Sequence, residues 1–289
     1  GGGSESDDAD SEDEFNSGDA SDGGSDGTGI DEDAVTEPAS GVGGFVHFYY
    51  NANAYATELE VPVVQVSASA RLHAPMEGSW VGWIPSLGMC TVDPVRASLG
   101  AIGTDHGSSA MLRSGSTVVP MTASDTTFSY LSDGLPMSTW ATSTAYDIEF
   151  ADGTSVASVL RTTGGFDALD PPILAEGPTT YPFRTGISIS GGTTFTWSPV
   201  ALDDGVLISL DIRNAATMER KGEVLCNAPD IGSFNIPGSA LASGPFAFGD
   251  PVFAGIWRYR VTYTVSPVDG SIIEGFAQKG AIGTATLSR

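Results

Sequence analysis

Lysine is almost missing from this chain of 289 residues. Only Lys221 and Lys279 occur, and the total of 12 basic side chains faces 36 acidic ones. The resulting net charge of −24 argues against nucleic acid as a partner, because holding a phosphate backbone relies on basic groups. It disfavours an anionic membrane surface for the same reason. Also lacking is any apolar run of about eighteen residues, so no segment reads as a membrane-spanning helix. Cysteine is scarce: Cys90 and Cys226 stand alone, without the close-paired spacing of zinc ligands, and no metal site is expected. Walker and dinucleotide fingerprints are missing, since the Gly-rich pieces follow no strand-to-helix unit, and no cofactor is expected.

What the chain does have is divided sharply. Residues 1–41 carry fourteen Asp and Glu among Gly, Ser and Ala, no Lys or Arg, and Phe15 as the sole aromatic. Such a stretch has little apolar surface to bury and repels itself, so it is expected to be a disordered acidic tether. Asp22, Asp26, Asp31 and Asp33 lack the ordered spacing and closing Glu of a calcium loop.

Past residue 41 the hydrophobic period is two. In Trp257-Arg258-Tyr259-Arg260-Val261-Thr262-Tyr263-Thr264-Val265 the odd positions are large and apolar and the even ones polar. This predicts a half-buried strand with its odd face packed and its even face wet. The turn Ser266 to Gly270 and the run Ser271 to Phe276 complete a predicted hairpin. Val206, Ile208, Leu210 and Ile212 alternate likewise. Phe195 with Trp197, Val224 with Cys226, and Phe234 with Ile236 supply further inward pairs. Earlier strands are predicted over 45–50, 63–72, 89–92, 109–112, 117–121, 126–131, 146–150 and 155–160. Two single helical turns are predicted, at Pro237 to Ala242 and Ala215 to Arg220.

Short strands at intervals of about ten residues, separated by Gly, Pro, Asp and Asn, indicate an all-β chain. The expected architecture is two consecutive β-sandwich domains of immunoglobulin or fibronectin type, over 42–168 and 183–289. A Pro/Gly-rich connector over 169–182 separates them, because proline is kept out of central ladder positions. The two cysteines fall one in each half. They read either as a bridge, the usual meaning of an even count in an exported protein, or as two buried thiols.

Candidate chemistry is thin. Thr104-Asp105-His106-Gly107-Ser108-Ser109 is the one place where Asp, His and Ser crowd together, so a serine-type hydrolase built on Asp105, His106 and Ser108 or Ser109 is one alternative. The segment lacks the G-x-S-x-G elbow and its strand-turn-helix setting. The carboxylate pairs Glu58/Glu60, Asp147/Glu149 and Asp203/Asp204 suit a glycosidase only if two of them face each other; each sits among outward polar positions. His47 reads as a packed or edge residue and His73 as a strand end. No catalytic residue is assigned, and the chain is read as a non-enzyme. Aromatics carry the stronger signal. Trp80 and Trp83 lie in a Gly/Pro-rich stretch, and Tyr49, Tyr50 and Tyr55 cluster near Asn51 and Asn53. Exposed on loops, these five would stack on sugars or anchor a protein; folded back, they would form a satellite core.

The leader, taken with Phe195-Thr196-Trp197, Val206 to Asp211, Cys226 and the run Asp230-Ile231-Gly232-Ser233-Phe234-Asn235-Ile236-Pro237, resembles a group of β-rich lipoproteins of unknown function in Gram-negative bacteria. The opening Gly-Gly-Gly-Ser and its Asp/Glu/Ser tract look like the segment just C-terminal to the lipidated cysteine of such proteins. The resemblance implies export, display on the outer face of the envelope, a non-enzymatic sandwich architecture, and membrane contact only through a lipid anchor preceding Gly1. Secretion is the alternative location. The expected function is a surface-displayed structural or binding protein, adhesive or part of an envelope assembly, with a protein or glycan as partner. A carbohydrate-binding or carbohydrate-cleaving module is the runner-up.

Overall fold

The computed structural model describes residues 41–53, 63–96, 102–124, 126–166, 169–170, 185–188, 192–200 and 203–289. The acidic leader, Tyr55, the Glu58/Glu60 pair and most of the predicted connector lie outside them. The described residues are nearly all β. The period-two segments become β1 (Val42–Asn53), β2 (Val63–Met76), β3 (Met89–Val92), β4 (Ser109–Ser114), β5 (Thr117–Ala123), β6 (Tyr130–Ser132), β7 (Ala145–Phe150) and β8 (Ser155–Arg161). After these come β9 (Leu169–Asp170), β10 (Thr185–Ser188), β11 (Thr193–Trp197), β12 (Gly205–Arg213), β13 (Arg220–Pro229), β14 (Ser233–Ile236), β15 (Pro251–Val265) and β16 (Ile272–Ser288). A five-residue helix, α1 (Gly238–Ala242), follows Pro237. The other predicted helical turn is instead the hairpin loop between β12 and β13. Asn214 Oδ1 accepts from the amides of Ala216 and Thr217, Met218 takes φ 58°, and Arg220 already belongs to β13.

Thirteen strands share one sheet, ordered β3-β13-β12-β15-β16-β1-β2-β6-β5-β4-β7-β8 with β10 beside the end of β16; β14-β11-β9 form a second. The β15–β16 hairpin closes where the sequence signals it. Ser266 N–H donates to Ser271 O at 2.7 Å, Asp269 accepts from the Ser271 amide and hydroxyl, and Gly270 supplies φ 74°. The predicted halves are thus stitched together. β1 runs antiparallel to β2 on one side and parallel to β16 on the other, and β3 pairs with β13. Cys90 and Cys226 lie opposite each other in that pairing and are joined as a disulfide, tying the chain before the connector to the chain after it. Residues Pro38–Arg289 make one compact unit.

Two main cores fill this sheet. The first gathers Phe48, Leu112, Tyr130, Tyr146, Ile148 and Leu160 with Ile273 and Ala277 of β16. The sheet rolls around it until β8 returns over β15 and β16, where the Thr262 hydroxyl donates to Val159 O at 2.7 Å and that of Thr264 to Ser158 O at 3.3 Å. Closure at this contact needs Gly275, since a Cβ there would lie 1.9 Å from Val159 O. The second core is a sandwich: one face of β12, β13 and β15 packs against Phe195, Trp197 and Ile236 of the small sheet and Leu241 of α1. Each such fully buried large side chain contributes about 1.5–3 kcal/mol of hydrophobic free energy.

The expected wet face of β15 is the correction the structure makes. Val252, Ala254, Ile256 and Arg258 all point into the second core's face, and Arg258 is 0% exposed. Its Nε donates to Asp230 Oδ2 at 2.8 Å and its Nη2 to Asp230 Oδ1 at 3.2 Å and Ser198 O at 2.7 Å. Nη1 donates to Gly165 O, and the Phe166 ring lies 4.7 Å below the guanidinium. Alternation predicts a wet face only where one side of a sheet meets water. Here both sides are covered, so the polar residue goes inside with its charge matched. Toward the end of β15, Tyr263 and Val265 are the exposed ones.

Candidate groove on the outer sheet face

The face of the sheet opposite these cores carries a third, aromatic cluster. Because β1 alternates, its even residues Val46 and Phe48 enter the first core, while Phe45, His47, Tyr49 and Asn51 point the other way. Register then sets them in rows across the sheet. His47 pairs with Phe276, Tyr49 with Gln278, and Asn51 with Gly280; Gly280 in turn faces Trp257, which faces Leu207. With only a glycine between them, Trp257 Nε1 reaches across β16 and donates to Asn51 Oδ1 at 2.5 Å. The Trp257 ring lies along its own strand over Gly255, where a Cβ would come 1.9 Å from the ring edge. Tyr259 covers Gly205, its partner on the neighbouring strand β12, a cross-strand glycine–aromatic pairing that lets the ring lie flat on the sheet. Burial raises the Tyr259 hydroxyl pKa to about 12, overcoming the hydrogen bond to Asn227 that opposes it.

Over this floor folds the stretch between β2 and β3. Its anchor is Glu274 of β16, 0% exposed, whose carboxylate accepts from the Ser79 hydroxyl (2.5 Å), the Trp80 amide (2.6 Å) and the Val81 amide (3.2 Å). Farther along, Asn227 Nδ2 donates to Pro85 O and the Gly88 amide to Asn227 O, and the disulfide follows at Cys90. Held in this way, Trp80 stacks on Phe45 at 4.7 Å with planes 6° apart, and Trp83 stands edge-on to Phe276 at 6.2 Å. Both tryptophans remain half-buried.

Between floor and cover is a cavity of about 370 Å³ lined by His47, Trp80, Trp83, Trp257, Phe276 and other residues. His47 meets Tyr49, Trp80 and Phe276 with ring centroids 5.2–5.3 Å away. Its Nε2 is enclosed and has no hydrogen-bond partner, and burial lowers its pKa to about 4. A second cavity of about 380 Å³ adjoins it, sharing Arg96, Ser209 and Trp257. Its wall is charged: Glu223 accepts from Arg96 at 2.9 and 3.1 Å, from Arg220 at 2.9 Å and from the Ser209 hydroxyl at 2.6 Å, while Arg213 pairs with Asp211 at 2.5 Å. Arg96 also lies 5.0 Å over the Trp83 ring, standing at the junction of the two cavities. Each volume alone is at the low end of the roughly 300–1,000 Å³ range of small-molecule sites.

Of the five aromatics picked from sequence, Trp80 and Trp83 line this groove. Tyr49 sits beside His47 on the same face, its hydroxyl accepting from Gln65 Nε2 at 3.3 Å. Tyr50 points to the opposite side, edge-on to Trp140 at 6.2 Å and packed against the first core. Tyr55 lies outside the described residues. Trp257, Arg96 and His47 were not picked, although Gly255 two positions before Trp257 is a legible signal for a ring lying on the sheet.

The other candidates stand apart from the groove and from one another. His106 Nδ1 pairs with Asp152 at 2.8 Å rather than with Asp105, which accepts from the Gly107 amide. The Asp152 carboxyl is held below its usual pKa by the Thr154 amide first and by His106 second. Among the described residues no hydrogen bond joins His106 to Ser108 or Ser109. Asp147 accepts from the Ser158 amide, Glu149 pairs with Arg113, and Asp203 and Asp204 both pair with Arg260. Among the described residues no group of three or more His, Cys, Asp or Glu is placed to hold a metal ion, and no helix is long and apolar enough to cross a membrane. Comparison with protein-family models, with curated proteins and with solved structures finds no match to this chain.

Proposed function

We propose that this chain is a carbohydrate-binding module, exported and displayed by its acidic leader. The observation that carries the reading is the groove in which Trp80, Trp83 and Trp257 meet at one open cavity that continues into a wall of hydrogen-bonding side chains. A pyranose ring has an apolar face of C–H bonds and a rim of hydroxyls. An indole plane suits the face, and carboxylate, guanidinium, amide and hydroxyl groups suit the rim. A purely apolar ligand would displace water from the half-exposed Arg96 and Arg220 without replacing its hydrogen bonds, which costs free energy. The carboxylates of the groove serve its own arginines, which favours binding over cleavage.

Affinity electrophoresis through gels cast with soluble polysaccharides tests this. The protein is expected to be retarded by at least one glucan, mannan or xylan, and Trp83→Ala and Trp257→Ala are expected to weaken retardation at least tenfold, about 1.4 kcal/mol. Near-UV circular dichroism checks that the variants fold. Migration unchanged in every gel, or retardation that both variants retain in full, would overturn the reading.

A further inference from the structure

Resting on the carbohydrate reading, the groove's geometry and charge point further: we infer that its ligand is an uncharged oligosaccharide of at least two sugar residues, laid across both cavities with Arg96 at their junction. Three arginines border the second cavity, and each is answered by a carboxylate. Arg96 and Arg220 are both held by Glu223, Arg220 also lies near Asp211 (3.6 Å) and Asp93 (3.9 Å), and Arg213 is held by Asp211. Three guanidiniums against Asp93, Asp211 and Glu223 leave no net charge for a uronate or sulfate to meet. The chain's overall −24 adds long-range repulsion of anions.

What remains on offer is neutral hydrogen-bonding capacity, and most of it borders the second cavity. There Arg96, Arg220, Arg213 and Asp211 keep 57%, 49%, 29% and 26% of their side chains exposed, open to ligand hydroxyls, which both donate and accept. The aromatic faces are concentrated in the first cavity, and Trp257 and Arg96 border both. One sugar ring stacked among the tryptophans therefore leaves the polar groups of the second cavity to a second ring.

The test is an array carrying neutral and acidic glycans from one to six residues long, probed with the full chain. Expected is binding confined to neutral members, with disaccharides and longer chains bound at least tenfold more tightly than monosaccharides. A second arm uses Glu223→Gln, which removes one carboxylate and leaves the arginines in excess; its binding is expected to shift toward uronate-bearing glycans. Acidic glycans bound by the unaltered protein as well as neutral ones, or monosaccharides bound as tightly as oligosaccharides, would overturn this inference and leave the carbohydrate reading standing. No signal from any glycan would overturn both.

Discussion

Replacing Asp230 by Asn removes one charge from the most enclosed part of the molecule and keeps the side chain's size. In the native protein both carboxylate oxygens are fully engaged. Oδ1 accepts from Trp197 Nε1 at 2.7 Å and Arg258 Nη2 at 3.2 Å; Oδ2 accepts from Arg258 Nε at 2.8 Å and the Val200 amide at 3.0 Å. An asparagine turns one acceptor into a donor facing two donors and leaves the Arg258 guanidinium, itself 0% exposed, without a counter-charge. Breaking one side of a buried pair costs about 3–5 kcal/mol, a large part of the roughly 5–15 kcal/mol that stabilises a folded protein. In urea, with a slope near 3 kcal/mol/M, the midpoint should fall by on the order of 1 M. Acid sensitivity follows as well. Burial alone would raise the Asp230 pKa, but the hydrogen bonds from Arg258, Val200 and Trp197 together outweigh it and hold it below the ordinary value. A carboxyl lowered in the folded state adds stability above its unfolded pKa and loses it as pH falls through the folded one. D230N should therefore lose stability mainly near neutrality and show a weaker dependence below about pH 4. The double variant Asp230→Leu/Arg258→Met, which removes both charges, should recover much of the deficit. A D230N protein within 1 kcal/mol of the parent at pH 7 would refute the reasoning.

Reducing the Cys90–Cys226 bond opens a loop spanning 136 positions; in the chain-entropy model this forfeits roughly 4–5 kcal/mol, read as a lowered urea midpoint in dithiothreitol and reproduced by the Cys90→Ala/Cys226→Ala variant. His47 supplies a pH signature: its folded pKa of about 4 is below the unfolded 6.5, so its contribution is complete above pH 6.5 and is lost as pH falls toward 4. The loss is on the order of 3 kcal/mol at most, and His47→Gln should flatten the stability profile over that window.

Much of the architecture is written in the chain because alternation is a direct consequence of strand geometry. The β15–β16 hairpin, the inward pairs Val224/Cys226 and Phe195/Trp197, and the short turn at Pro237 are all visible in sequence. Which face of a strand is wet is not written there, since that depends on what another part of the chain lays over it. Arg258 looked solvent-facing only because the groups that enclose it, Gly165, Phe166, Ser198 and Asp230, come from distant parts of the chain. The groove was half legible for the same reason. Trp80 and Trp83 stood out by their Gly/Pro-rich setting, but Trp257 was hidden within a regular strand and Arg96 acquires its place through Glu223 on β13 and the Trp83 ring. Tyr50 shows the opposite error: adjacent to Tyr49 in sequence, it belongs to the other side because neighbours on a strand point apart.

The parallel contact of β1 with β16 has a consequence for biogenesis. A ribosome releases β1 and β2 long before β16 exists, so the edge of β1 must wait with its amides and carbonyls unmatched. Such an edge invites pairing with the wrong chain, and assembly governed by distant contacts is slow. The first core therefore cannot complete itself until β16 has emerged, and the polypeptide should need shielding by a chaperone in the interval.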